Sequence, residues 1–154
     1  MEARKNGEER QAKVEATADA TGKTARLSPE LERIGAEVVD AAYTVHSTLG
    51  PGLLESVYET CLAHELTQRG LAVRTQVAMP VVYKGIRIEA GYRLDMLVEE
   101  VVVVEVKAVE MLATVHIAQL RTYLKLAGLQ LGLAINFNVA RIKDGIRRVA
   151  IQSA

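Results

Sequence analysis

The chain is short of the residues that define several common kinds of protein. Its single cysteine, Cys61, cannot form an internal disulfide framework or supply a cysteine-based zinc site, which indicates a reducing compartment. No run of about eighteen apolar residues occurs, and the first residues lack the apolar core of a signal peptide. The sequence therefore predicts a cytoplasmic protein that has no membrane partner.

Aromatic residues are also few, and the formal net charge is zero. The chain has no Trp, one Phe and five Tyr, so binding of single strands by base stacking is not favoured. Lys and Arg together number 19, as do Asp and Glu, so no overall electric field attracts a polyanion. A local basic patch would still suffice for that purpose.

Apolar residues, in contrast, are plentiful. They make up 49% of the 154 residues, which is enough for one domain with a sizeable core. Residues 1–27 contain few large aliphatic side chains and show no usable periodicity, which predicts a disordered tail. Residues 28–154 are expected to form a single domain.

The apolar spacing predicts two helices, a run of strands, a third helix and two last strands. Ser28 suits a helix cap and Pro29 the first helical position, so a helix begins there and ends at Gly50-Pro51-Gly52. A second helical pattern follows and stops at Gly70. Residues 72–77 and 79–83 are predicted to form one bent strand or two. The remaining predicted elements are strands at 86–90, 93–98 and 101–106, a helix at 112–126, and strands at 131–139 and 146–151.

These elements predict an α/β fold with a mixed central sheet flanked by helices, and the expected order of its core elements is α-α-β-β-β-α-β. The strands before the third helix are expected to form an antiparallel meander. The strand after that helix is expected to run parallel to residues 101–107, because a strand–helix–strand unit of this length forms a crossover.

The strand at residues 101–107 is strongly apolar and ends in two opposite charges. Alternate side chains on a strand share a face, so Glu105 and Lys107 project together and away from Val104 and Val106. A charge in a buried strand is costly, by about 3 to 5 kcal/mol once its partner is removed. Two interpretations follow, namely a structural ion pair at the sheet edge or a functional site.

Asp95, on the preceding strand, depends on the turn for its position. A three-residue loop over residues 99–101 would bring Asp95 opposite Glu105, whereas a two-residue loop of Glu99-Glu100 would turn it away. The sequence has no Asn-Gly or Asp-Gly at this turn, which favours the longer loop. Two carboxylates are then hard oxygen ligands suited to Mg²⁺ or Mn²⁺, and Lys107 could steady an attacking water or a phosphate charge.

This constellation resembles the PD-(D/E)xK nuclease superfamily. The residues that carry the resemblance are Asp95 and, after nine intervening residues, Glu105-x-Lys107. The predicted element order is similar to the α-β-β-β-α-β core of that superfamily. The resemblance spans residues 31–151, with one departure at Leu94, where a Pro would stand before the Asp.

Two further motifs narrow the resemblance. Residues 52–58 read Gly-Leu-Leu-Glu-Ser-Val-Tyr and resemble the signature of the GxxExxY family, and residues 46–52 are similar to its usual lead-in. On the third helix, Gln119 and Tyr123 resemble the QxxxY motif of RecB-like members.

The resemblance implies a restriction-endonuclease-like core and a nuclease that depends on Mg²⁺ or Mn²⁺. The implied catalytic residues are Asp95, Glu105, Lys107, Glu55 and Gln119, and the implied metal ligands are Asp95, Glu105, Glu55 and His46. Candidate contacts to nucleic acid are Arg121, Lys125, Tyr123 and Arg93, of which the first two are four residues apart and share a helical face.

Several of these residues also have a structural interpretation. Glu55 could merely cap its helix, a contribution of about 0.3 to 1 kcal/mol. His46 could equally be a hydrogen-bonded structural residue, and Tyr123 could belong to the core.

A second class of function is a non-catalytic binding or assembly protein that retains the nuclease scaffold, since fold does not fix function. The neutral overall charge supports it. For either class the expected partner is nucleic acid, DNA before RNA, and a homo-oligomer would enlarge the binding surface of so small a domain.

Overall fold

The structure, a computed structural model, describes residues 26–152. Its helices are α1 (Pro29–Leu49), α2 (Glu55–Gln68) and α3 (Thr114–Ala127). Its strands are β1 (Val73–Ala78), β2 (Val81–Tyr83), β3 (Ile86–Ile88), β4 (Arg93–Val98), β5 (Val102–Lys107), β6 (Leu131–Asn136) and β7 (Ile146–Ala150), with a 3₁₀ turn at Ile142–Gly145. The tail predicted over residues 1–27 lies, except for residues 26 and 27, outside the described residues.

Both predicted boundaries of α1 are confirmed. The Ser28 hydroxyl accepts the N–H of Leu31 at 3.2 Å, and Pro29 occupies the first turn, where its missing N–H costs nothing. The helix ends at Gly50, whose φ of 68° is easy for glycine and difficult for other residues. The chain can therefore turn sharply into α2 within a few residues.

Five strands form the central sheet in the order β1-β4-β5-β6-β7. β4 is antiparallel to β1 and β5, β5 is parallel to β6, and β6 is antiparallel to β7. The predicted parallel pairing after the third helix is thus confirmed, as is the predicted class of a mixed sheet flanked by helices.

The meander prediction needs one correction. β2 and β3 pair only with each other, as a separate two-stranded sheet, and β1 pairs directly with β4. The hairpin turns at Lys84 and Gly85, both with positive φ, and its strands have only three residues each. The sequence pattern does not distinguish strands that join the central sheet from strands that leave it, because both alternate in the same way.

The two faces of the sheet are covered by different helices. Met96, Val104 and Val106 pack with α1 and α2 in the larger part of the core, and Leu97 and Val103 pack with α3 in the smaller part. The odd-numbered residues of β4 and β5, which alternate with those facing α1 and α2, therefore face α3. None of the described helices combines the length and the apolar character that a membrane crossing requires.

Candidate active site

The turn between β4 and β5 decides which side chains meet. Val98 pairs with Val102 and Met96 with Val104, so three residues separate the paired strands, as predicted. Extending this register places Asp95 opposite Glu105.

Glu99 and Glu100, with φ of 51° and 58°, are both left-handed in this turn, although neither is glycine. Such a conformation costs an L-residue about 1 to 2 kcal/mol. Contacts with β1 and with the residue that precedes it hold this conformation in place. Glu99 exchanges two hydrogen bonds with the backbone of Ala72, at 2.8 and 3.0 Å, and the Glu100 carboxylate pairs with Arg74 at 2.6 and 2.8 Å.

Asp95 and Glu105 face each other across β4 and β5. The N–H of Asp95 donates to Glu105 Oε1 at 3.4 Å, and Asp95 Oδ2 accepts the N–H of Val106 at 2.9 Å. Glu105 is only 6% exposed. Burial, and then the neighbouring Asp95 carboxylate, raise the pKa of Glu105 to about 9, so at neutral pH the carboxyl pair retains a proton.

Lys107 lies two residues after Glu105 on the same strand and therefore on the same face. It is half-buried, and within residues 26–152 its ammonium joins no carboxylate in an ion pair. Its positive charge lowers the pKa of Glu105, but by less than burial and Asp95 raise it. The structural ion pair between Glu105 and Lys107 is thus not formed.

Glu55 is the first residue of α2 and reaches the end of β5, where its Oε2 accepts the N–H of Ala108 at 3.3 Å. The turn before α2 is fixed by Tyr58, which is fully buried and stacks on Phe137 with ring centroids 4.7 Å apart. The Tyr58 hydroxyl donates to the Gly50 carbonyl at 2.6 Å and accepts the N–H of Leu53 at 3.0 Å. Tyr58 therefore anchors the turn that places Glu55 beside the sheet.

Asn136, at the end of β6, was not singled out by the sequence and fixes the loop after Lys107. It is 1% exposed, stands beside Lys107 in the β5–β6 ladder, and bonds both backbone groups of Val109, at 3.1 and 2.9 Å. The only signal in the sequence is a polar residue at the end of an apolar strand. Asn136 holds the backbone whose N–H at Ala108 meets Glu55.

α3 covers the sheet face from which the carboxyl pair projects. Tyr123 is 8% exposed, and burial, followed by the charge of Glu105, raises the pKa of its hydroxyl. Asp95 contributes in the same direction. Tyr123 thus lies within electrostatic range of both carboxyl groups, while Gln119, one turn earlier, is exposed.

The predicted nucleic-acid contacts take two different positions. On α3, Lys125 is exposed and Arg121 is partly exposed. Arg93 begins β4, is exposed, and donates from Nη1 to the carbonyl of Gln76 on β1 at 3.1 Å.

Glu59 is a carboxylate near the site that sequence reasoning missed. It follows Glu55 by one helical turn and accepts two hydrogen bonds from the carboxamide of Gln76, at 2.9 and 3.1 Å. Burial raises the pKa of Glu59, and Asp95 and Glu55 contribute in the same direction. The spacing of four from Glu55 was the available signal.

His46 has a structural partner. The imidazole is 8% exposed, and its Nε2 lies 2.8 Å from the carbonyl oxygen of Val139, to which it donates. That bond occupies Nε2, so the hydrogen-bonded role accounts for His46.

The four predicted metal ligands are not assembled as one group. Among residues 26–152, no set of three or more His, Cys, Asp or Glu side chains lies close enough to hold a metal ion. Glu55 is bonded to Ala108 and His46 to Val139, which leaves Asp95 and Glu105 as the adjoining pair. This pair fits Mg²⁺, which commonly takes one or two carboxylates and completes its coordination with waters and phosphates.

Comparison with known proteins gives a match that covers all the site residues described above. The sequence model of one protein family, described as the PD-(D/E)XK nuclease superfamily, matches residues 32–149. The matched range contains both carboxyl groups, Lys107 and α3. Comparisons with curated proteins and with solved structures returned no match.

Proposed function

The chain belongs to the PD-(D/E)XK nuclease superfamily, and from that premise we propose that it hydrolyses phosphodiester bonds of DNA with the help of Mg²⁺ or Mn²⁺. RNA is the second candidate substrate. Within the superfamily we assign it to the GxxExxY family, on the motif at residues 52–58. A cytoplasmic location and self-association stay predictions that fractionation and a measurement of mass in solution would test.

The observation that carries the proposal is the carboxyl pair of Asp95 and Glu105. This pair is unfavourable for the fold, because burial and the neighbouring Asp95 carboxylate both disfavour the charged form of Glu105 and so raise its pKa. A divalent cation would neutralise the charges of both carboxylates, so the pair would be more stable with a bound metal ion than without one.

In the proposed reaction Asp95 and Glu105 hold the ion. When bound, the ion supplies charge for the scissile phosphate and makes a water molecule more acidic. Lys107 has no carboxylate partner within the described residues, so its ammonium is available to hold a phosphate oxygen or to orient the attacking water.

The surrounding residues have supporting roles in this proposal. Glu55, bonded to Ala108 beside the site, adds negative charge at the end of β5. Gln119 is exposed on the helix above the carboxyl pair, where its carboxamide can reach a phosphate. Arg121, Lys125 and Arg93 would bind phosphates further along the nucleic acid, with Tyr123 next to the reacting group.

Cleavage assays test the proposal. Single- and double-stranded DNA and RNA would be incubated with the protein and Mg²⁺ or Mn²⁺, with and without EDTA. We expect cleavage that EDTA abolishes and that Lys107→Ala reduces by about a hundredfold or more. Arg33→Ala, at an exposed position of α1, is the matched control and should cleave normally.

Calorimetry with Mn²⁺ separates this proposal from the non-catalytic alternative. A protein that binds Mn²⁺ and cleaves none of the four substrates would contradict catalysis. A protein that binds no Mn²⁺ at all would favour a binding or assembly module on the same scaffold.

A further inference from the structure

Gln76 has a backbone conformation that is unusual for its place in the fold. Its φ is 52°, in the left-handed region, where Cβ crowds the following carbonyl oxygen. The other non-glycine residues with positive φ between residues 26 and 152 are Lys84, Glu99 and Glu100, and all three lie in hairpin turns. Gln76 lies inside β1. Strained residues of this kind concentrate at functional sites.

The β1–β4 ladder places Gln76 beside the carboxyl pair. Thr75 pairs with Met96 and Val77 pairs with Leu94, so Gln76 stands across from Asp95. The distortion in β1 therefore occurs at the position that adjoins Asp95.

Gln76 binds one charged group through its side chain and another through its backbone. Its Nε2 donates to both carboxylate oxygens of Glu59, at 2.9 and 3.1 Å. Its carbonyl accepts a hydrogen bond from Arg93 Nη1 at 3.1 Å. One residue thus fixes a carboxylate that comes from α2 and a guanidinium that comes from β4.

Glu59 shares the electrostatic surroundings of the site. Glu59 is half-buried and follows Glu55 by one turn, and the charges of Asp95 and Glu55 both act on its carboxylate. No three carboxylates within residues 26–152 come together closely enough to ligate one ion, so Glu59 is not a third ligand beside Asp95 and Glu105.

We propose that Gln76 and Glu59 are positioning residues for the cation. The Gln76 carboxamide holds the Glu59 carboxylate so that its charge adds to that of Asp95 and Glu105 and strengthens divalent-cation binding without touching the ion. This inference rests on the proposed function, since it requires that Asp95 and Glu105 bind a cation.

Calorimetric titration of the full chain with Mn²⁺ tests the inference directly. We expect Glu59→Gln and Gln76→Gly each to weaken Mn²⁺ affinity about tenfold. The double variant should lose no more than either single variant, because the two residues act as one unit. Thr75→Ala, at the neighbouring exposed position of β1, is the matched control and should bind Mn²⁺ as the wild type does.

Thermal melting shows whether the variants remain folded. Gly accepts a φ of 52° more readily than Gln, so Gln76→Gly should melt no lower than the wild type. Glu59→Gln keeps the size of the side chain and tests the inference even if the glycine variant is poorly folded. A loss of affinity without a loss of melting temperature is the result that a purely structural role would not produce.

Two outcomes would overturn the inference alone. One is a wild type that binds Mn²⁺ while both single variants bind it equally well, and the other is a double variant in which the two losses multiply. A wild type that binds no Mn²⁺ would overturn the inference together with the proposed function.

Discussion

Replacing Glu105 with Gln should stabilise the metal-free protein and abolish its binding of a cation. The pKa of Glu105 is raised from 4.5 to about 9 by burial and by Asp95. Between these two values the folded state retains a proton that the unfolded state has released, so the free energy of unfolding falls as pH rises. Gln cannot ionise, and its amide can donate a hydrogen bond to a carboxylate, as a protonated carboxyl can.

The size of the effect follows from the same two values. In the unfolded state the carboxyl loses its proton above its pKa of 4.5, and pH 7 lies roughly 2.5 pH units higher. At 1.36 kcal/mol per unit, this loss of the proton stabilises the unfolded wild type by about 3 kcal/mol. Glu105→Gln should therefore be more stable than the wild type by up to about 3 kcal/mol at pH 7, and by less than about 1 kcal/mol at pH 5.

Urea unfolding at several pH values, in EDTA and then in Mn²⁺, measures this difference. Mn²⁺ should stabilise the wild type by mass action and leave Glu105→Gln unchanged, so the gap between them should narrow or reverse. Glu110→Gln is the matched control, because Glu110 is exposed and its replacement should change stability by less than about 0.5 kcal/mol. Equal pH dependence of stability in the wild type and in Glu105→Gln, between pH 5 and 9, would refute the reasoning.

Three further predictions follow from the same contacts. The affinity of the wild type for Mn²⁺ should rise about tenfold per pH unit between pH 6 and 8, because Glu105 must release one proton when the ion binds. Calorimetry in buffers of different ionisation enthalpy would detect the released proton. Asn136→Ala should lower the free energy of unfolding by about 2 to 3 kcal/mol, because the N–H of Val109 loses its partner and the carbonyl of Val109 keeps only the Asn138 amide, at 3.5 Å. Urea unfolding would show this loss, and a loss below about 0.5 kcal/mol would contradict it. Tyr58→Phe should cost about 1 to 2 kcal/mol by the same measurement, since the turn before Glu55 loses two hydrogen bonds, whereas Tyr83→Phe, at an exposed ring, should be neutral.

The fold was largely predictable because its elements have strong periodic patterns. The cap at Ser28, the turn at Gly50 and the apolar strand that ends at Lys107 are local signals, and the structure confirms each of them. The register at the β4–β5 turn was predictable from the absence of a tight-turn dipeptide. Its anchoring by Ala72 and Arg74 was not, because those residues are distant in sequence.

The sequence also predicted the central pair of the candidate site but not the residues around it. Asp95 and Glu105 stand across from each other as expected, since strand register is a regular geometric property. The roles of Asn136, Glu59 and Gln76 depend on tertiary contacts between separate elements, and a strand pattern does not reveal a left-handed residue at Gln76. The hairpin of β2 and β3 was misplaced for the same reason.

The central claim, that a divalent cation binds between Asp95 and Glu105, is most directly tested by a crystal structure grown or soaked in Mn²⁺. Anomalous scattering identifies the ion independently of the refined coordinates. We predict an anomalous peak at about 2.0 to 2.3 Å from a carboxylate oxygen of each residue, a distance close to that of other oxygen-bound divalent ions. Crystals that contain Mn²⁺ but show no peak between these two carboxylates, with Glu105 still turned to Asp95 as a protonated acid, would contradict the claim.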